Sequence, residues 1–188
     1  EDILQQQTGG EANTPKPSLP TSPSPAPENP SPTQPAAADA PLPPAKSEPA
    51  APLCFCLPVQ GAKTIAPFSG GELVKNHTLN VWRTHDGIDL AAEKGTVVTA
   101  AEAGTVSAVT MDPMWGGTVA VDHTDGTQTI YCGIAPEKAL KAGDRVTAGQ
   151  MLGSVDTVTA EVAMESHLHF AAKKDGKFID PLSLPGLE

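Results

Sequence analysis

The chain has 188 residues and carries 22 Asp and Glu against 12 Lys and Arg, a formal net charge of −10 at pH 7. A chain this acidic, with no basic stripe, is not built to follow a phosphate backbone, which argues against nucleic acid as a partner. It contains no run of eighteen or more apolar residues and no signal-peptide pattern, so no stretch reads as a membrane-spanning helix or an export signal.

Residues 1–52 hold 14 of the 20 prolines, mixed with Ser, Ala, Thr and Glu and almost devoid of aromatic or β-branched residues. Such a segment has too little apolar surface to bury against the entropy of ordering, and it is predicted to be a disordered linker. As a flexible coil its ends would lie roughly 40 Å apart, and full polyproline extension would reach about 160 Å. The start at Glu1-Asp2-Ile3-Leu4, with a proline-rich tether ahead of a domain, is the expectation for a chain whose N-terminal membrane anchor has been trimmed; Leu187-Glu188 reads as an appended pair.

The domain is expected over residues 53–188, where 10 basic and 16 acidic residues leave a formal charge of −6. Cys54, Cys56 and Cys132 are an odd number without a disulfide framework, and they read as free, small, buried or half-buried residues. Short runs bounded by glycine predict an all-β domain, a sandwich or barrel, with strands over 96–100, 105–110, 118–123, 127–132, 151–156 and 167–173. Asp125-Gly126 between two alternating runs predicts a hairpin, and Asp175-Gly176 a second one before Phe178-Ile179. Only 136–141 suggests a helical turn. With 4% aromatics, the core is expected to be built from small and β-branched residues that suit stacked strands.

Two short stretches carry chemistry. His85 and Asp89 stand four apart around Gly87, in a segment that disfavours helix; if it is extended, the two share a face, as do His167 and His169. Imidazole and carboxylate ligands numbering three, with a fourth position left to water, are the pattern of a catalytic zinc site. Either half alone is more often a satisfied strand or surface histidine; the two in this order, with glycine-punctuated strands between them, read as one metal site. Of the neighbouring groups, Asp86 reads as an exposed loop carboxylate, His123 as a solvated hairpin residue, and His77 as a polar loop residue outside the site.

Gly95 to Ala100 leading into Gly104-Thr105-Val106, and Gly143 to Gly153, add two further phrases in which glycines mark turns between short strands. With the metal pair, these phrases resemble the LytM-type domain of the M23 metallopeptidases, the lysostaphin-like enzymes that cut peptide cross-bridges of peptidoglycan. The resemblance covers roughly residues 57–184 and implies an antiparallel β-sandwich or barrel-like domain. It implies zinc bound by His85, Asp89 and His169, with His167 assisting catalysis. The family's remaining catalytic histidine lies in a Tyr-x-His-Leu segment, and the matching stretch is Tyr131-Cys132-Gly133-Ile134, so that histidine is replaced by Gly133. After the HxH, where the family usually has Phe-Glu, this chain has Phe170-Ala171. A positioned acid–base group contributes a factor of about 10² to 10⁴, so its loss raises the barrier by roughly 3 to 5 kcal/mol.

Within the family, the phrases Trp82 to Asp89, Asp112 to Gly117 and Ile130 to Gly133 look most like a clostridial branch that acts in sporulation, whose site is commonly degenerate. That resemblance implies a forespore-membrane protein facing the intermembrane space. It implies pairing with the mother-cell protein AH of the stage III A operon, in a channel that holds the two membranes in register. Three readings follow: a catalytically impaired, protein-binding LytM module; a working zinc endopeptidase of the cell wall; and a structural module of the lipoyl or biotinyl type. The last lacks the lysine-bearing hairpin tip that carries those cofactors.

Overall fold

A computed structural model describes residues 53–187. The linker read over residues 1–52 lies outside the described residues. Among those described, no helix is long and apolar enough to cross a membrane. The regular elements of the described residues are all strands, apart from two 3-10 turns at Thr159–Glu161 and Pro181–Ser183.

Twelve strands follow one another: β1 (Thr64–Ala66), β2 (Val74–Asn76), β3 (Val81–Arg83), β4 (Ile88–Ala91), β5 (Val97–Thr99), β6 (Gly104–Asp112), β7 (Gly116–Asp122), β8 (Thr127–Pro136), β9 (Arg145–Val146), β10 (Met151–Val155), β11 (His167–Lys174) and β12 (Lys177–Ile179). All pairings are antiparallel, and the main path runs β1-β4-β11-β8-β7-β6-β9, with β12 on β11 and β10 joining β5 to β8. β2 and β3 form a separate hairpin. Each of the six expected strands falls on an observed one, and both expected hairpins, β7–β8 and β11–β12, are present.

Alternation decides which residues face the core. Ile88 and Leu90 on β4, Leu168, Phe170 and Ala172 on β11, Tyr131 on β8, and Val119 and Val121 on β7 are all inaccessible to solvent and belong to one apolar cluster. Their in-between neighbours point to the opposite face. Register sets Asp89 beside His169, His169 beside Cys132, and Cys132 beside Thr118, so these four residues form a row across β4, β11, β8 and β7.

β8 is shared between two layers. Its first part, up to Cys132, lies between β7 and β11, whereas Ile134–Pro136 pairs with β10. The change occurs at Gly133, where Gly117 pairs with Ile134 and Thr118 with Cys132, leaving Gly133 as the extra residue of a bulge. Its φ of +74° is in the left-handed region, and an added Cβ would overlap Val158 Cγ2.

A polar chain threads this core. The Tyr131 hydroxyl accepts from Ala101 N–H (2.8 Å) and lies 3.0 Å from Thr129 Oγ1, which is 2.8 Å from His123 Nε2; His123 Nδ1–H donates to the Ala103 carbonyl at 2.8 Å. His123 is therefore not the solvated hairpin residue expected from its place before a turn. It is buried, and its ring meets Phe55 edge-on at 5.1 Å. Two other expectations are corrected. Cys54 and Cys56 are exposed, and only Cys132 is buried. Residues 136–141 form no helix, because Pro136 ends β8 and Leu140 N–H closes a simple turn onto the Glu137 carbonyl. Leu187 packs into the core.

Burial pushes the Tyr131 phenol up to about 12 from an ordinary value of 10.0. A raised folded value means that its contribution is complete below pH about 10 and is lost as pH rises toward about 12. Tyr131→Phe should cost about 1–3 kcal/mol at pH 7, because the buried Ala101 N–H loses its acceptor. The deficit relative to wild type should shrink at pH 11, and urea denaturation at both pH values is the check; an unchanged deficit would contradict it. Gly133→His, the substitution that restores the family's histidine, should destabilise by roughly 2–6 kcal/mol through left-handed strain and overpacking against Val158. A wild-type urea midpoint for that variant would contradict the bulge geometry.

Candidate metal centre

His85 lies in the loop between β3 and β4, and three bonds fix it there. Its N–H donates to Ser69 Oγ at 3.0 Å, its carbonyl accepts from Ser69 N–H at 3.0 Å, and its Nδ1–H donates to the Pro67 carbonyl at 2.7 Å. The last bond holds a proton on Nδ1 and turns Nε2 inward. His85 Nε2 stands 3.2 Å from Asp89 Oδ1 and 3.3 Å from His169 Nδ1, and His169 Nδ1 stands 2.8 Å from Asp89 Oδ1. The structure thus brings together the three residues that the family resemblance pairs with zinc, although His85 comes from a loop rather than from the extended run expected.

Gly87 makes this closeness possible. A Cβ there would lie 2.6 Å from the Phe170 carbonyl oxygen and 2.9 Å from His169 Nε2, so only hydrogen lets the β3–β4 loop pass over β11. Above His169 lies the Trp115 ring at 4.6 Å between centroids, and the Arg83 guanidinium sits 4.9 Å over that ring. This stack holds the imidazole in one orientation.

Burial alone would raise the Asp89 carboxyl, but the bonds to His169 and His85 outweigh it, and the group is held well below the usual carboxylate range. Desolvation would lower His85, yet the Asp89 bond and charge and the Pro67 carbonyl carry it above its ordinary value. One oxygen, Asp89 Oδ2, is buried with no hydrogen-bond partner. An orphaned carboxylate oxygen in so dry a position is costly unless a cation meets it. The donor separations of 2.8–3.3 Å also resemble the ~3.3 Å between nitrogen and oxygen donors held at about 2.0–2.1 Å around tetrahedral zinc. The residues present fit a divalent metal.

His167 is buried one turn of alternation away from His169. Its Nδ1–H donates to the Glu165 carbonyl at 2.7 Å, and its Nε2 lies 3.3 Å from Glu161 Oε2 and 3.9 Å from Asp89 Oδ1. Burial would lower it, but the Glu161 and Glu165 bonds win and raise it above the ordinary imidazole value. Glu161 is the residue that reading the sequence missed. It is 4% exposed and lies 3.6 Å from His169 Nδ1. Among the described residues, His85, Asp89, Glu161 and His169 offer donor atoms all within 4.8 Å of one another. The one local signal is a carboxylate six residues before the HxH, and such a spacing has no meaning without the fold.

On the other side of His169, β8 presents Cys132, not position 133, to a groove of about 310 Å³ that Trp115, Thr118 and His169 also line. Burial pushes the Cys132 thiol up to about 11, so it is a neutral thiol at neutral pH. Asp86, expected to be an exposed loop carboxylate, is half-buried and lines the same groove. His77 is exposed along a second groove, of about 420 Å³, that reaches His85 and Asp89 from beneath the β2–β3 hairpin, but it is not among the clustered donors.

Comparison with known proteins follows the same lines. The chain is 34% identical over 106 residues to stage II sporulation protein Q of Bacillus subtilis (strain 168), covering 55% of this chain and 37% of that protein. It is 30% identical over 106 residues to the DD-carboxypeptidase/endopeptidase Mpg of Neisseria meningitidis serogroup B (strain MC58), covering 56% and 24%. The chain thus spans well under half the length of these two relatives. Among solved structures, it is similar to a chain of the SpoIIQ–SpoIIIAH pore-forming complex, with a TM-score of 0.63, 26% identity, and coverage of 73% of this chain and 94% of that one. Residues 83–181 match the family described as Peptidase family M23. By that match, by its antiparallel β fold and by the donors gathered between β4 and β11, the chain belongs to peptidase family M23.

Proposed function

We propose that this chain is a catalytically impaired M23 domain serving as a protein-binding module of a sporulation channel. In this reading it stands outside the cytoplasm, anchored to the forespore membrane and facing the intermembrane space. The observation that carries the reading is the wall of the centre formed by β8. Where a second proton-moving histidine belongs, that strand offers a neutral Cys132 thiol and a bulged Gly133 whose backbone has no room for a side chain.

We assign His85, Asp89 and His169 as ligands of one zinc ion. When bound, zinc would polarise a carbonyl and lower the pKa of its water. His167, the remaining catalytic histidine in this assignment, holds one proton against the Glu165 carbonyl and faces Glu161 through Nε2. No partner on β8 relays a proton across the site, which costs the factor of about 10² to 10⁴ that a positioned acid–base group supplies. The proposed partner is the mother-cell protein AH of the stage III A operon. Similarity to stage II sporulation protein Q and to a chain of the SpoIIQ–SpoIIIAH complex supports it. Residues 1–52 would supply reach, and the folded domain would supply the interface of about 800 Å² per side.

A second reading, a zinc endopeptidase acting on peptidoglycan cross-bridges, is favoured by the gathered donors with His167 beside them and by the similarity to Mpg. One measurement tests the ligand assignment common to both readings, and partner binding with muropeptide turnover separates them. Protein purified without chelator should carry up to one equivalent of zinc, and His85→Ala should lose it; equal metal content by elemental analysis would remove the ligand assignment. The chain should bind the partner's extracytoplasmic domain by calorimetry, with or without residues 1–52, and should leave purified muropeptides uncleaved. Clear turnover would establish the endopeptidase instead, and loss of binding on removing residues 1–52 would move the interface off the domain.

A further inference from the structure

We propose that Glu161 is a fourth protein ligand, closing the metal centre at the position that a catalytic zinc site leaves to water. This rests on the assignment of His85, Asp89 and His169 as zinc ligands and deepens it. It turns the centre from an impaired catalytic site into a structural one, in which every coordination position is taken by the chain itself.

Position is the first ground. Glu161 offers an oxygen within 4.8 Å of the donor atoms of His85, Asp89 and His169, and it does so from a buried place, with 4% of its surface exposed. Charge is the second. Two carboxylates, Asp89 and Glu161, are gathered with little exposed surface, and like charges so close repel strongly unless protons on the neighbouring imidazoles or a metal cation balance them. A divalent ion with two imidazoles and two carboxylates is electrically neutral, and such a set of nitrogen and oxygen donors suits zinc. Asp89 also carries a buried oxygen, Oδ2, with no hydrogen-bond partner, which an electropositive neighbour would satisfy.

The third ground is how Glu161 is delivered. It ends the short 3-10 turn Thr159–Glu161, which is tied to the rest of the domain from two sides. Ala160 N–H donates to the Met114 carbonyl at 2.8 Å, and the Ala160 carbonyl accepts from Asn76 Nδ2 at 3.0 Å. Two residues after Glu161, Ala163 N–H donates to Thr78 Oγ1 at 3.0 Å. The segment is clamped between the β2–β3 hairpin and the β6–β7 turn, and Ala160 is fully buried. A carboxylate on a clamped backbone reaches the centre as part of the fold. A metal held by β4, β11 and this turn would in exchange stiffen the segment that borders the groove beneath the β2–β3 hairpin.

The test uses the full chain, its Glu161→Ala and Glu161→Gln variants, zinc, cobalt(II) and azide. In the closed site, cobalt-loaded wild-type protein should keep its visible spectrum when azide is added, because no position is open to it. Glu161→Ala should bind zinc at least tenfold more weakly, in keeping with the loss that even supporting residues of metal sites produce, and its cobalt spectrum should respond to azide. Glu161→Gln, which keeps the side-chain volume, carries the same comparison if the alanine variant does not fold. The inference is overturned if wild type and variant respond alike to azide and their zinc affinities agree within about twofold. Failure of wild type itself to bind zinc or cobalt would instead overturn the ligand assignment beneath it, so the two failures are distinguishable.

Discussion

The register between β4 and β11 is the constraint on which the rest of this molecule depends. Pairing His169 with Asp89 sends both side chains to one face, while Leu168, Leu90, Phe170 and Ile88 go to the other, into the core. Strand side chains alternate with a period of two, so a slip by one residue would bury the imidazoles in the apolar cluster and expose the leucines. The hydrophobic effect that holds the sheet together therefore also fixes where the metal donors meet. At about 25 cal/mol per Å² of apolar surface, four buried side chains of this size supply several kcal/mol toward the register. Gly87 completes the arrangement by letting the His85 loop cross β11 at backbone contact.

Around that register the domain concentrates polar groups in two buried places with different logic. The Tyr131–Thr129–His123 chain is closed: donors and acceptors follow one another from the Ala101 N–H to the Ala103 carbonyl, and no net charge is buried. The metal centre is open in the electrostatic sense. Asp89 and Glu161 face His85, His167 and His169, and Asp89 Oδ2 has no partner. In a medium of low dielectric, the first arrangement is stable by itself, while the second depends on protons or a cation to balance it.

Position 133, where the family resemblance implies a histidine, lies on a bulged stretch of backbone with a positive φ. The bulge at Gly133 is what allows β8 to leave β11 and join β10, and so it serves the closure of the sheet as well as the shape of the site. A histidine at that position would have to coexist with a positive φ and with Val158. Just before the bulge, the register with His169 and Thr118 directs Cys132 toward the groove beside His169. Chemistry and architecture are thus coupled at one residue, and relief of the first would disturb the second.

What is local is legible along the chain. Alternation placed six strands, two Asp-Gly hairpins appeared where turn chemistry put them, and the His-x-Gly-x-Asp and His-x-His phrases held the donors that the fold brings together. Tertiary structure decided what depends on distant partners. His123 looked solvated next to its turn, yet Phe55 and Ala103, far away in the chain, bury it. Pro136 looked like the start of a helical turn, yet pairing with Gly153 on β10 keeps it in a strand. Glu161 has no periodicity and no motif around it, and the bonds of the preceding Ala160 to Met114 and Asn76 bring it to the centre. Periodicity and turn chemistry are properties of a few consecutive residues and can be read along the chain. The direction of a side chain on a clamped loop is set by contacts across the fold, and these exist only once the sheet has closed.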